Sequence, residues 1–154
     1  MLSIELTQLL ELPNVYVERQ FIDEQGIVFY LRPLAPGILC SSCGQFIDRE
    51  HQSRPLRIRD LRIREKPVLL QIPRRQFHCR TCERYCTEQL EFVDWRRRHT
   101  RRFEEDIYER VQHSSLEQVA REEGISPDEV RGMFEHVAAQ LKKRLGPGQT
   151  DQHR

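Results

Sequence analysis

The sequence predicts an α+β chain, a small antiparallel β module followed by a three-helix unit, and three observations carry that expectation. Alternating apolar residues recur between residues 14 and 73. Two Cys-x-x-Cys units, Cys40 with Cys43 and Cys79 with Cys82, frame the end of that stretch. Past Trp95 the apolar period lengthens to that of a helix. The 154 residues suffice for one ordinary domain or two small ones, and 38% hydrophobic with 32% charged is a globular balance.

Taken in order, residues 2–11 read as a short amphipathic helix ended by Pro13. Two β-rich runs follow, Val15 to Ile22 and Ile27 to Leu31, separated by acidic residues and Gly26 as in a hairpin. A second strand pair is expected from "PLRIRDL" and "PVLLQIPRRQF", where Leu56 and Ile58, then Val68, Leu70 and Ile72, alternate with other residues. Pro67 and Pro73 should bound the latter run, because proline cannot donate to a ladder. Phe103, Ile107 and Val111 then share a helical face. Two more helices follow: Ser115 with Gln118 can form a capping box, Gly124 can take the left-handed position, and Ser126, Pro127 and Glu129 mark the next start. Val130, Phe134, Val137 and Leu141 should form its buried stripe. The expected division is an N-terminal helix over 1–13, a β module over 14–94, a helical unit over 95–145 and a disordered tail over 146–154.

The cysteines specify chemistry. The two pairs stand 35 residues apart, and each offers two sulfurs that facing turns can bring to about 2.3 Å from one tetrahedral ion, as in a zinc ribbon. Gly44 allows the tight turn after the first pair. Cys40, Cys43, Cys79 and Cys82 would close the shell, leaving no position for substrate, so the expected Zn2+ is structural. Thioredoxin-like redox chemistry is the lesser reading, since no βαβ pattern surrounds the pairs. The fifth thiol, Cys86, should pack as a small apolar side chain, and His51 and His78 should be surface or core residues rather than ligands.

The net charge of +1 conceals segregation. Residues 54–102 hold 15 Lys+Arg against 6 Asp+Glu, whereas each flanking third carries a net of −4. Such a belt is the footprint of a polyanion-binding face. "DWRRRHTRRF" concentrates Arg96, Arg97, Arg98, Arg101 and Arg102, whose guanidiniums can neutralise phosphates and release counterions. Arg74 and Arg75 precede the second thiol pair and extend the set. Trp95 is expected as a core anchor, with stacking on a sugar or base as the other reading. Ala120 and Gly124 meet the needs of a helix-turn-helix crossing, which makes the helix from Pro127 the reader of a major groove, with Arg131, Lys142 and Lys143 as its cationic contacts. An ordinary helical hairpin used for packing is the alternative.

These motifs together resemble the N-terminal region of ISL3-type insertion-sequence transposases. The matching residues are "CSSCG", the Arg59 to Leu61 "RDL", "PVLLQIPRRQFHCRTC", Thr87 with Glu88, and "RRRHTRRFEEDI". The resemblance implies a zinc finger preceding a helix-turn-helix, and recognition of transposon terminal inverted repeats in double-stranded DNA. It also implies a departure: the family continues into a catalytic domain whose acidic triad binds Mg2+, which this sequence does not include. No enzyme activity is therefore expected from these residues. A separately encoded catalytic subunit and a homodimer are further expected partners. The rival readings are a small transcription regulator and a protein-protein adaptor. The N-terminal "MLSIELTQLLEL" is apolar but short, lacks a basic start and contains Glu5 and Glu11, so neither a secretory signal nor a membrane anchor is expected and the protein is placed in the cytoplasm.

Overall fold

The computed structural model describes residues 2–146, and the tail expected to be disordered lies, from residue 147 onward, outside the described residues. The chain forms two compact units, Met1–Thr100 and Arg101–Arg154. The first begins with helix α1 (Leu2–Leu10) and contains strands β1 (Val15–Ile22), β2 (Ile27–Pro33), β3 (Ile38–Leu39), β4 (Phe46–Ile47), β5 (Glu50–Ile63), β6 (Lys66–Cys79) and β7 (Arg84–Thr87). The second consists of α2 (Arg101–His113), α3 (Leu116–Glu123) and α4 (Pro127–Leu145). No helix among the described residues is long and apolar enough to cross a membrane.

The main sheet has the order β1-β2-β6-β5, with β7 also paired to β6, and β3 and β4 form a separate two-stranded piece. Both expected hairpins form, β1 with β2 and β5 with β6. The sheet is mixed rather than purely antiparallel, because β2 runs parallel to β6 from Ile27↔Val68 to Tyr30↔Gln71. Parallel neighbours need a long connection, and residues 34–65, which include β3, β4 and β5, provide it.

Pro67 and Pro73 do not bound a strand: both lie inside β6, and Pro73 faces Pro55 across the ladder. Opposed residues of an antiparallel pair alternate between bonded and non-bonded positions. Two prolines can face each other where neither nitrogen is asked to donate, and here β6 has no partner on its other edge, since its pairing with β2 ends at Gln71 and its pairing with β7 begins at Gln76.

One face of the sheet packs a hydrocarbon core of Val15, Val17, Ile27, Phe29, Leu31, Ile58, Val68, Leu70 and Ile72 against Leu10, Leu12 and Phe92. Ile58, Val68, Leu70 and Ile72 are fully buried, each worth about 1.5–3 kcal/mol of transfer free energy. Beyond Cys86 the chain runs without helix until Arg101, so α2 starts six residues later than the change of period at Trp95 suggested. Part of that stretch is added to the edge of β5: the Arg59 amide donates to the Arg98 carbonyl at 3.0 Å, and the Thr100 amide donates to the Arg59 carbonyl at 2.9 Å. The Thr100 hydroxyl satisfies the buried Asp60 carboxylate at 2.7 Å.

In the helical unit, Phe103 and Ile107 of α2, Val119 and Ala120 of α3, and Val130, Met133 and Val137 of α4 are buried. The stripe expected on α4 shifts accordingly. Met133 fills the space between the helices with Val119 and Val130, as their spacing predicts, while Phe134 stacks on Tyr108 with ring centroids 4.8 Å apart and Leu141 stays 36% exposed. Arg110 ties α2 to α3 by ion pairs with Glu122 and with the buried Glu123.

Candidate metal centre and nucleic-acid interface

Two tight turns bring the thiols together. In the first, between β3 and β4, the Cys40 amide donates to the Gln45 carbonyl at 2.8 Å and the Gly44 amide to the Cys40 carbonyl at 2.9 Å. Gly44 has φ +74, a conformation available to glycine without steric cost. In the second turn, between β6 and β7, Glu83 occupies the equivalent position with φ +52. Side chains brace the two turns against each other: the Thr81 hydroxyl donates to Gln45 Oε1 at 2.6 Å, and Arg84 Nη1 donates to Ser42 Oγ at 3.4 Å.

The four sulfurs of Cys40, Cys43, Cys79 and Cys82 lie within 4.8 Å of one another. Cys43 and Cys79 are 3.7 Å apart, and Cys40 and Cys82 are 4.0 Å apart. A tetrahedron with metal–sulfur bonds of about 2.3 Å has edges of about 3.8 Å, so the donor set fits zinc in both chemistry and size. The thiol electrostatics point the same way. Backbone amides of Cys43 and Ser42 lower Cys40 to about 6, whereas its neighbour Cys43, together with burial and Cys40, pushes Cys82 up to about 12. Adjacent thiols without a cation cannot all ionise, and a divalent ion reverses that balance.

Cys86 lies opposite Phe77 in the β6–β7 ladder and is buried with Cys40, Ile47, Phe77 and Cys79. Its sulfur is 3.7 Å from that of Cys40 but does not belong to the mutually close set of four. His51 and His78 both pack with tilted rings against Tyr85, with centroids 4.7 and 5.0 Å away, and neither joins the thiol cluster.

The candidate phosphate contacts differ in availability. Arg96 and Arg98 are exposed, and Arg97 is half-buried. Arg96 has φ +61 in a turn closed by the Arg97 amide on the Asp94 carbonyl at 3.0 Å. Trp95, expected in the core, is instead 51% exposed in that turn, and its ring receives the guanidiniums of Arg74 at 5.1 Å and Arg96 at 5.8 Å. The residues preceding Trp95 explain the difference, because Phe92 and Val93 already fill the core position. Arg54, which the sequence reading passed over, faces Arg74 across the ladder.

Arg75 is turned inward. It binds Glu88 at 2.6 and 2.9 Å and donates to the Ala35 carbonyl at 2.8 Å, with side-chain exposures of 13% and 9% for the ion pair. Its guanidinium braces the β6–β7 end and is already engaged there, unlike those of Arg96 and Arg98. Arg101 and Arg102 are half-buried in the first turn of α2.

The starts of α3 and α4 and the turn between them are capped, but the box expected at Ser115 is only half made, because the Gln118 side chain engages Glu122 and Arg121 instead of reaching back to the Ser115 amide. Ser115 Oγ accepts from the Gln118 amide, Gly124 takes φ +68, and Ser126 Oγ accepts from the Glu129 amide with Pro127 at the helix start. Ala120 is buried at the α3 side of that crossing. Arg131 is exposed but paired with Asp128 at 3.2 Å, while Lys142 and Lys143 are exposed in the last turns of α4.

Comparison with known proteins identifies both halves. The profile of the zinc finger of transposase IS204/IS1001/IS1096/IS1165 matches residues 36–82, and that of the helix-turn-helix domain of transposase family ISL3 matches residues 88–138. The transposase for insertion sequence element IS1001 of Bordetella parapertussis is 35% identical over 92 residues, which cover 60% of this chain and 23% of that relative. The chain thus spans less than a quarter of the length of the curated relative it matches. No solved structure matches it. A thiol tetrad lies inside the first matched stretch and a capped helix pair inside the second, so the chain carries, in order, a zinc ribbon and a helix-turn-helix region similar to those of ISL3-type transposases.

Proposed function

We propose that these residues recognise the terminal inverted repeats of a transposable element as double-stranded DNA, within the cytoplasm, and that strand transfer belongs to residues outside the two matched modules. The observation that carries the reading is the α3–α4 pair: a buried Ala120 and left-handed Gly124 set the crossing, and the first turns of α4 expose Asp128, Glu129, Arg131 and Glu135 to a partner. Cys40, Cys43, Cys79 and Cys82 hold Zn2+ as a structural ion, which supplies folding free energy and no reaction step. Arg74, Arg96, Arg97, Arg98, Arg101, Arg102, Lys142 and Lys143 grip phosphates, and Arg131 reads a base edge after exchanging its Asp128 partner for guanine.

A mobility-shift comparison of a repeat end with scrambled duplex across a salt series tests this. Preference for the repeat by about 10³ or more is expected, with a log–log salt slope near −4.5 if about five phosphates are neutralised. Replacing Arg96 or Arg98 by alanine should reduce that slope by about 1 each without changing the preferred sequence. Equal, weak binding to both duplexes would end the proposal.

A further inference from the structure

The face of the main sheet opposite the hydrocarbon core carries a pattern that duplex recognition does not use. Cross-strand partners share a face, so the registers define rows. One row runs Arg19, Tyr30, Gln71, Arg57 across β1, β2, β6 and β5; a second runs Phe21, Val28, Leu69, Arg59; and Tyr16 faces Arg32 at the β1–β2 end. The Arg19 guanidinium sits 4.0 Å over the Tyr30 ring, Arg32 lies 5.3 Å from that of Tyr16, and Arg57 Nε donates to Gln71 Oε1 at 3.0 Å. Phe21 is 57% exposed.

This arrangement depends on an irregularity in β1. Strict alternation would send Arg19 to the same side as the buried Val15 and Val17. A register shift between Val17 and Arg19 inserts one residue, so Tyr16, Arg19 and Phe21 all fall on the open face. Bulges re-aim side chains in this way. Tyr16, Tyr30 and Phe21 then alternate between two adjacent strands at diagonal spacings of roughly 7–8 Å.

The charge on this surface is also selected. The first 53 residues contain 3 Lys+Arg against 7 Asp+Glu, yet two of those three cations, Arg19 and Arg32, fall on this face and both lie over tyrosines. The adjoining acid, Glu18, is paired with Arg32 at 3.6 Å. Rings separated by guanidiniums stack bases and neutralise phosphates at once, which is the chemistry of a single-strand platform.

We propose that this face binds single-stranded DNA, with bases stacked on Tyr16, Tyr30 and Phe21 and phosphates held by Arg19, Arg32 and Arg57. Gln71 Oε1 is engaged by Arg57 and the Glu18 carboxylate by Arg32, which occupies two acceptors that a ribose 2′-hydroxyl could use and favours DNA over RNA. The site goes beyond duplex reading and uses none of its residues.

Fluorescence anisotropy of a short labelled oligothymidylate with the full zinc-loaded chain tests it. Tyr30→Ala should weaken binding about tenfold, in line with the loss of one stacked base, while Tyr30→Phe keeps the affinity. Arg19→Gln should lower the magnitude of the salt slope by about 0.7. All three variants should retain duplex preference and zinc content, which separates failure here from failure of the duplex reading. The proposal is overturned by absence of oligothymidylate binding, by Tyr30→Ala behaving like Tyr30→Phe, or by tighter binding of oligouridylate. It is equally overturned if sedimentation shows a dimer that Tyr30→Ala dissociates, since a second copy would then cover the face.

Discussion

Strand β6 serves two cores that are built on different physics. Its even-numbered residues Val68, Leu70 and Ile72 enter a twelve-residue hydrocarbon cluster shared with β1, β2, β5 and α1. Its odd-numbered Phe77 and Cys79, farther along and on the opposite face, enter a cluster of five buried residues, three of them cysteines. The first holds itself by area removed from water. The second has two short strands and little apolar surface, so its order depends on what the sulfurs bind. One strand can therefore be stable at one end and conditional at the other.

The largest test of that contrast is removal of the metal. A structural zinc in such a site contributes on the order of 10 kcal/mol, so chelation or Cys79→Ser should abolish hydrogen-exchange protection over residues 38–47 and 77–87. Ile58 and Leu70 should remain protected. Simultaneous loss at both ends would show that the sheet unfolds as one unit and that the contrast is only compositional.

The reciprocal experiment has a smaller effect. Leu70 is fully buried, and Leu70→Ala should cost about 2–5 kcal/mol through transfer and cavity terms. Urea unfolding would read the loss, and elemental analysis should still find one zinc per chain. A variant that sheds its metal as readily as Cys79→Ser would place the thiol end downstream of the hydrocarbon end.

The thiol end was legible in the sequence because its chemistry is local. Two Cys-x-x-Cys units and Gly44 define the turns, and only their meeting needs the fold. Ser115, Gly124 and Ser126 were legible for the same reason, since capping is decided within four residues. What escaped depends on pairing between distant segments. The parallel β2–β6 register, the Pro55–Pro73 pair and the inward turn of Arg75 toward Glu88 leave no periodic trace. Trp95 was misplaced because hydrophobic size suggested burial, whereas Phe92 and Val93 had already closed the core beneath it. The Arg19–Tyr30 row was invisible until the β1 bulge changed the parity of the strand.

Acid distinguishes the two ends by a third and smaller effect. His99 bridges to Arg59 at the β5 edge, and burial, followed by the charges of Arg97 and Arg59, lowers its pKa to about 4. An unfolded histidine titrates near 6.5, so between these values the unfolded chain binds a proton that the folded chain does not. Stability from this group is therefore present in full above about pH 6.5 and is lost as the pH falls toward 4. Thiolate protonation also loosens the metal in acid, but it does so equally in a His99→Gln variant. The difference between the unfolding midpoints of wild type and His99→Gln should thus shift steadily in favour of the variant from pH 6.5 to pH 4, with the change visible in exchange at Ile58. Parallel curves would mean that the imidazole is solvated when folded, and that acid acts on this unit through the sulfurs alone.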